Sequence, residues 1–311
     1  MTENHKPVDW AEQQHRHKLI QHRKFMWRDD TIDMLAKWLG LKHGMTTVDV
    51  GCGLGYLGYT FWPYFGKGGN YTGVDVSTDL LEDALKASEE WSKGGIATFL
   101  KADAGDLPLD DDSADVVMCQ MLLMHLTKPD EALAEMVRVT RPGGTVLCIE
   151  TDILSSLLRR VSTSLPELSI DELMLTYKVA LYCNRGKKAL GRGDDSTGVK
   201  VTHMMYQLGL TEIDTRLGDA AWTLIPPYQG PVQKHRLERF KNDYLDEDYR
   251  AHLDGMAREA FLAGGGDQAE FDRYLAINMR LIPVMKEQIE KGTFFICGSS
   301  DYYIVRGRKP V

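Results

Sequence analysis

Glycines at alternate positions follow a short apolar segment near residue 50, and that segment contains one acid. The run is Val48-Asp49-Val50-Gly51-Cys52-Gly53-Leu54-Gly55, with Gly58 close behind it. Glycines let a strand turn sharply into a helix and leave the backbone bare, so that a ligand can approach it closely. Free N–H groups at the start of that helix favour an anionic group. The run therefore predicts a strand–turn–helix that binds a ligand.

Two classes of ligand fit this turn. Gly53-x-Gly55-x-x-Gly58 matches the dinucleotide fingerprint, and Asp75 follows Gly55 by 20 residues, where an acid that binds ribose belongs. The other register begins at Asp49. A carboxylate near the end of the strand repels a pyrophosphate. It suits S-adenosylmethionine, which carries an ammonium and a sulfonium. The first register predicts an NAD-dependent oxidoreductase, and the second predicts a protein that binds S-adenosylmethionine.

Short apolar strands and amphipathic helices alternate through the first half of the chain. The pattern predicts strands over residues 46–50, 71–76, 97–102, 115–121 and 145–150, with helices over 55–64, 78–91 and 129–140. Mostly apolar strands need cover on both faces, which is typical of a parallel sheet in a βαβ arrangement. We therefore expect an α/β fold whose ligand lies at the carboxyl edge of the sheet.

The alternation breaks after Thr151, and helical patterns prevail. A strand is predicted over 211–217, and a strand or hairpin over 293–296 and 302–305. Residues 1–225 and 293–311 are assigned to one domain, with a helical cover over 1–44, and residues 226–292 to an inserted helical lid over the substrate. Pro283 is expected to kink or split the helix over 268–290.

Four motifs, taken in order along the chain, resemble those of a known protein family. The glycine run resembles motif I of the class I S-adenosylmethionine-dependent methyltransferases, and the branch that methylates small molecules, including the ubiquinone/menaquinone enzymes, is the most similar. The other motifs are Gly73-Val74-Asp75-Val76-Ser77, Lys101-Ala102-Asp103-Ala104-Gly105-Asp106-Leu107-Pro108, and Leu122-Leu123-Met124-His125-Leu126 followed by Arg138-Val139-Thr140-Arg141-Pro142-Gly143-Gly144. The resemblance covers residues 45–152. It implies a Rossmann-like, seven-stranded, mostly parallel sheet with helices on both faces, plus an N-terminal helix and the inserted lid.

The resemblance also implies a role for each matching residue. Gly51, Cys52, Gly53 and Gly55 are expected to bring backbone to the methionine part of the ligand. Asp49 binds its ammonium, together with the Gln120 carbonyl. Asp75 accepts both ribose hydroxyls, Val76 packs on the adenine, Asp103 accepts from the adenine amino group, and the Ala104 N–H faces a ring nitrogen.

Three further residues are candidates for the transfer step. His125 follows the fourth strand at the carboxyl edge, and an unperturbed histidine titrates near neutrality. We therefore expect His125 to act as the catalytic base where the acceptor arrives protonated. Glu150 and Asp152 end the fifth strand on the same edge and are interpreted as binding a cationic substrate.

Composition and charge exclude several classes of protein. The chain has 311 residues and a net charge of −8, which argues against a nucleic-acid partner, although residues 14–28 are basic. No apolar run approaches the roughly 18 residues of a membrane span, and the polar N-terminus is unlike a signal peptide. The five scattered cysteines form no metal-binding pair and are typical of a reducing cytoplasm.

The sequence thus predicts a cytoplasmic S-adenosylmethionine-dependent methyltransferase. It transfers a methyl group to an O, N or C atom of a small molecule, releases S-adenosylhomocysteine and uses no metal. The alternatives are a catalytically silent protein that binds S-adenosylmethionine as a regulator, and a methyltransferase for RNA or protein. No oligomeric state is predicted.

Overall fold

A computed structural model describes residues 27–154, 162–218, 221–298 and 302–311. Contacts divide the chain into two compact units. The first extends to Thr151 and also contains Thr197–Gly218 and Tyr302–Val311, while the second consists of Asp152–Ser196 and Asp219–Asp301. The second unit thus takes in more of the chain than the 226–292 lid of the sequence-based assignment. Most of the basic segment 14–28 lies outside the described residues.

The first unit is built on a seven-stranded sheet. Its strands are β1 (Thr46–Val50), β2 (Asn70–Asp75), β3 (Ile96–Lys101), β4 (Ala114–Gln120), β5 (Thr140–Thr151), β7 (Thr211–Leu217) and β10 (Tyr302–Arg308). Their order is β3-β2-β1-β4-β5-β10-β7. Only β10 is antiparallel to its neighbours, β5 and β7. The predicted Rossmann-like, mostly parallel sheet is confirmed.

Helices bury both faces of this sheet. They are α1 (Asp29–Leu39), α2 (Tyr56–Phe65), α3 (Thr78–Trp91), α4 (Pro129–Val139) and α6 (Gly198–Gln207). One cluster of buried side chains joins α4 and α6 to alternate residues of the strands, such as Val48 and Val117. The other joins α1 and α2 to residues such as Met118 and Ile304. Two buried faces explain why the central strands β1 and β4 are buried along almost their whole length rather than at alternate residues.

The second unit has a small sheet of its own. The strands β6 (Ser162–Thr163), β9 (Ile296–Gly298) and β8 (Trp222–Leu224) pair antiparallel in that order. The predicted closing hairpin is therefore wrong, because β9 pairs in this sheet whereas β10 pairs in the large one. The partners that place the two strands in different sheets lie far away in sequence.

Four helices complete the second unit: α5 (Ile170–Ala189), α7 (Gly230–Tyr244), α8 (Glu247–Ala263) and α9 (Gln268–Glu290). Helix α9 is continuous through Pro283, so the expected split is wrong. A proline leaves the carbonyl four residues earlier without its helical donor. Here that carbonyl belongs to Met279, an exposed residue, where water can replace the donor. Pro63 within α2 likewise leaves the carbonyl of Tyr59, another exposed residue, without a helical donor.

Candidate functional site

The glycine run forms the turn between β1 and α2. Gly51, Gly53 and Gly55 all have left-handed backbone, with φ of 69°, 51° and 73°. A side chain on Gly51 would collide with Leu122, since a Cβ there would lie 2.7 Å from Leu122 Cδ1. A Cβ on Gly53 would meet no atom within 4 Å, so this part of the turn borders open space. The predicted bare backbone is present, and its open side is at Gly53.

Asp75, the last residue of β2, is tied to the turn. One carboxylate oxygen, Oδ2, accepts from the Gly53 N–H at 2.9 Å, and Oδ1 accepts from the Ser77 N–H at 2.9 Å. A carboxylate has about four lone-pair sites, so two acceptor sites are left for other donors. The structure therefore brings Asp75 and the glycine turn together, as the sequence predicts, and Asp75 also holds the turn in place.

Asp49 lies beneath the turn and is 1% exposed. Its Oδ2 accepts from the Tyr71 hydroxyl at 2.8 Å. Burial and the neighbouring Asp49 charge raise the pKa of Tyr71 well above its usual value, so the hydroxyl stays a donor. Sequence reasoning missed Tyr71, because nothing in its position within an apolar strand signals a polar role.

Cys52 is buried inside the turn. Burial, followed by the charges of Asp49 and Asp75, raises the pKa of its thiol well above the usual value. The thiol is therefore protonated at neutral pH and a poor nucleophile. A Cβ on Gly73 would lie 2.8 Å from Cys52 Sγ, so the thiol fills space against β2. Of this residue, only the backbone is suited to face a ligand.

The residues expected near the adenine lie beyond β2 and β3. Val76 is 61% exposed, which is unusual for a valine next to a buried strand. Asp103 is exposed, and its Oδ1 accepts from the Gly105 N–H at 2.8 Å, which closes a tight turn. The Ala104 side chain points into the core. An exposed apolar surface and an exposed carboxylate are thus both available here.

Arg138 of α4 braces the loop after Asp103. It donates to the carbonyls of Leu107 and Leu109 at 2.9 and 2.8 Å and pairs with Glu135. Glu135 in turn accepts from the Leu107 N–H at 2.8 Å. Arg138 is therefore structural, and it supports one wall of the site.

The loop after β4 carries the remaining candidates. Gln120 is the last residue of β4 and is buried. His125 ends a short 3-10 helix, Leu123–His125, and is half-buried. Both lie at the carboxyl edge of the sheet, where the sequence places them.

The two acids that end β5 are already bonded to protein donors. Glu150 has no exposed surface, and its oxygens accept main-chain N–H groups of the loop after β4. Asp152 accepts from the Ser196 hydroxyl at 2.6 Å and is also buried. The interpretation that Glu150 binds a cationic substrate is therefore wrong: this carboxylate binds main chain instead.

The region that contains the candidate site is similar to a known protein family. A family profile described as a methyltransferase domain matches residues 48–148. Residues 48–148 are thus similar to a methyltransferase domain. They include the glycine turn, Asp75, the Asp103 loop and His125, which are the parts of the site described above.

Curated relatives match a little over a third of the chain. An uncharacterised methyltransferase of Schizosaccharomyces pombe is 40% identical over 114 residues, which is 35% of this chain and 41% of the relative. A ubiquinone/menaquinone biosynthesis C-methyltransferase of Ruegeria is 31% identical over 125 residues, 40% of this chain and 48% of the relative. The chain thus spans about half the length of the curated relatives that it matches.

Solved structures share the fold. A candidate methyltransferase of Bacillus halodurans aligns with a TM-score of 0.52 at 17% identity, over 90% of this chain and 99% of its own. At that identity the likeness supports the fold alone.

Within the described ranges, no group of three or more His, Cys, Asp and Glu side chains is arranged to hold a metal ion. No described helix is long and apolar enough to cross a membrane.

Proposed function

We propose that the chain is an S-adenosylmethionine-dependent methyltransferase that transfers a methyl group to a small-molecule acceptor by in-line displacement. The observation that carries this proposal is the buried Asp49 carboxylate beneath the glycine turn. A buried negative charge interacts strongly with a nearby ligand because little water screens it. It therefore disfavours the pyrophosphate of a dinucleotide and favours a cationic ligand. The methyltransferase domain match supports the same choice.

The residues of the turn fit such a ligand. Open space beside Gly53 admits it, and the N-terminus of α2 favours its carboxylate. Asp75 has two acceptor sites left for the ribose hydroxyls, the exposed face of Val76 suits the adenine, and Asp103 suits the adenine amino group. Gly51, Cys52, Gly55 and Ala104 contribute backbone, and Asp49 and the Gln120 carbonyl provide the negative potential for the ammonium.

S-adenosylmethionine supplies a methyl group that its sulfonium has already made electrophilic. The protein then needs mainly to align the acceptor and to exclude water. We assign His125 as the catalytic base that takes a proton from a protonated acceptor. It lies on the loop after β4, on the same sheet edge as the turn.

The acceptor class follows from the relatives and the charge. A relative is named as a ubiquinone/menaquinone biosynthesis C-methyltransferase, which favours a small-molecule acceptor, and the net charge of −8 does not favour RNA. We propose a small-molecule acceptor with an O, N or C nucleophile, no resident metal, and a cytoplasmic location.

Thermal unfolding of the full chain with three ligands tests the proposal. S-adenosylmethionine and S-adenosylhomocysteine are each expected to raise the Tm, because a ligand at 100 times its Kd adds about 2.7 kcal/mol of stability. NAD at the same concentration is expected to leave the Tm unchanged. A rise with NAD alone would overturn the proposal.

Gly53→Ala tests whether the open side of the turn holds the ligand. The strained backbone should cost roughly 1–2 kcal/mol of unfolding free energy, and the methyl group should intrude on the ligand, weakening S-adenosylhomocysteine binding at least about 10-fold. Gly68→Ala is the matched control. Gly68 also has positive φ, 69°, and open space around it, but it lies two residues before β2 begins, away from the turn. Calorimetric titration should show unchanged affinity in Gly68→Ala. Equal affinities in both variants would place the ligand elsewhere.

A further inference from the structure

We propose that Glu150 is a positioning residue that fixes the loop between β4 and α4 against the glycine turn. Its carboxylate lies at the end of β5 and is 0% exposed. Oε1 accepts from the N–H groups of Leu122 and Leu123 at 2.9 and 2.8 Å, and Oε2 accepts from Met124 at 3.3 Å. One side chain thus binds three consecutive main-chain donors.

These donors need such a partner. The first N–H groups of a helix have no acceptor within the helix, and the 3-10 helix Leu123–His125 begins here. Consecutive N–H groups that converge form a small cavity for an anion. A carboxylate fills it with charge-assisted hydrogen bonds, which are stronger than bonds between neutral groups. An apolar residue at position 150 would leave these donors buried without an acceptor.

The chain also enters the loop through a strained residue. Met121 has left-handed backbone, with φ of 53°, and its N–H donates to the Ile149 carbonyl at 2.8 Å. A residue other than glycine holds this conformation only where its surroundings determine it. Glu150 and Ile149 are neighbours on β5, so this strand holds both the bend and the first turn of the 3-10 helix.

The loop in turn shapes the ligand site. The Leu122 side chain lies so close to Gly51 that a Cβ there would collide with it. Leu122 is therefore a wall of the glycine turn, and His125 lies at the far end of the same 3-10 helix. Because its carboxylate binds the main chain of Leu122, Leu123 and Met124, Glu150 acts on the site through Leu122 and His125. This inference rests on the proposed function, since it makes Glu150 a determinant of S-adenosylhomocysteine affinity.

Two substitutions in the full chain separate the roles of shape and charge. Glu150→Gln keeps one oxygen for Leu122 and Leu123 but turns an NH2 group toward the Met124 donor. Glu150→Leu removes every acceptor. The control is Asp115→Asn: Asp115 also accepts a main-chain N–H, that of Thr46 at 2.7 Å, but it lies at the amino edge of the sheet.

Amide hydrogen exchange of peptides covering residues 120–127 and calorimetric titration with S-adenosylhomocysteine are the two measurements. Exchange in this segment should rise at least about 10-fold in Glu150→Leu and less in Glu150→Gln, because local opening no longer breaks three bonds. The Kd should rise at least about 10-fold in Glu150→Leu, with Glu150→Gln in between. Asp115→Asn should match the wild type in both.

Failure of this inference can be distinguished from failure of the proposed function. Slow exchange at 120–127 and wild-type affinity in both Glu150 variants would overturn the inference and leave the proposed function standing. A rise in exchange spread evenly over the chain would also overturn it, because Glu150 would then stabilise the fold only. If Glu150→Leu does not fold, Glu150→Gln decides by the same two measurements. If the wild type binds no S-adenosylhomocysteine, the proposed function fails, and exchange at 120–127 alone decides whether Glu150 holds the loop.

Discussion

Asp75→Ala is expected to weaken the binding of S-adenosylhomocysteine by at least about 100-fold. Hydrogen bonds to a charged group contribute about 1.5–3 kcal/mol each, and two ribose hydroxyls are expected to donate to this carboxylate. Two such bonds correspond to roughly 3 kcal/mol or more, which is at least two powers of ten in Kd. Asp75→Ala also frees the Gly53 N–H, so the turn loses an anchor as well.

Calorimetric titration measures this loss, and Glu82→Ala is its control. Glu82 is an exposed acid on α3, the helix that follows Asp75 in the chain, so it removes the same charge without touching the turn. Its affinity should equal that of the wild type. An equal drop in both variants would mean that long-range charge, rather than contact with the ribose, determines binding. An unchanged Kd in Asp75→Ala would remove Asp75 from the site.

Gly186→Ala is expected to have the largest effect on folding of the second unit. Gly186 lies in α5, where a Cβ would come within 1.6 Å of the Ala260 carbonyl oxygen of α8. The reverse contact is similar: a Cβ on Gly264 would lie 2.0 Å from the Tyr182 carbonyl oxygen. The backbones of two helices touch here, and neither obstacle is a flexible side chain. Separating them should cost about 3 kcal/mol or more.

Gly255→Ala provides a control of opposite sign. Gly255 is also helical, in α8, but a Cβ there would meet nothing within 4 Å. Alanine is the better helix former by up to about 1 kcal/mol, so this variant should be slightly more stable. Chemical denaturation, with hydrogen exchange of α5 and α8 peptides, measures both. Equal stability of the two variants would contradict the close crossing of α5 and α8.

Most strands of the sheet were predictable because each is a short run whose pattern can be recognised from neighbouring residues in the sequence. The predicted strands over 46–50 and 211–217 match β1 and β7, and the next three after β1 differ by one residue at each end. Helix start signals were equally readable: Ser77 caps α3 by accepting from the Leu80 N–H. Patterns of this kind depend on neighbours in sequence, so a single chain shows them.

What failed depends on contacts distant in sequence. Strands β9 and β10 lie close together in the sequence, but their partners place them in different sheets. Glu150 has the residue type and sheet-edge position of a substrate-binding acid, but its real partners are the main-chain donors of residues 122–124. Every residue except proline has a main-chain N–H group, so no sequence motif identifies a carboxylate that binds such groups.

The structure of a crystal grown with S-adenosylhomocysteine tests the central claim most directly. We predict ligand density along the glycine turn, with both ribose hydroxyls within hydrogen-bond distance of the Asp75 carboxylate and the adenine against Val76. Density elsewhere, or a ligand whose ribose does not contact Asp75, would contradict it.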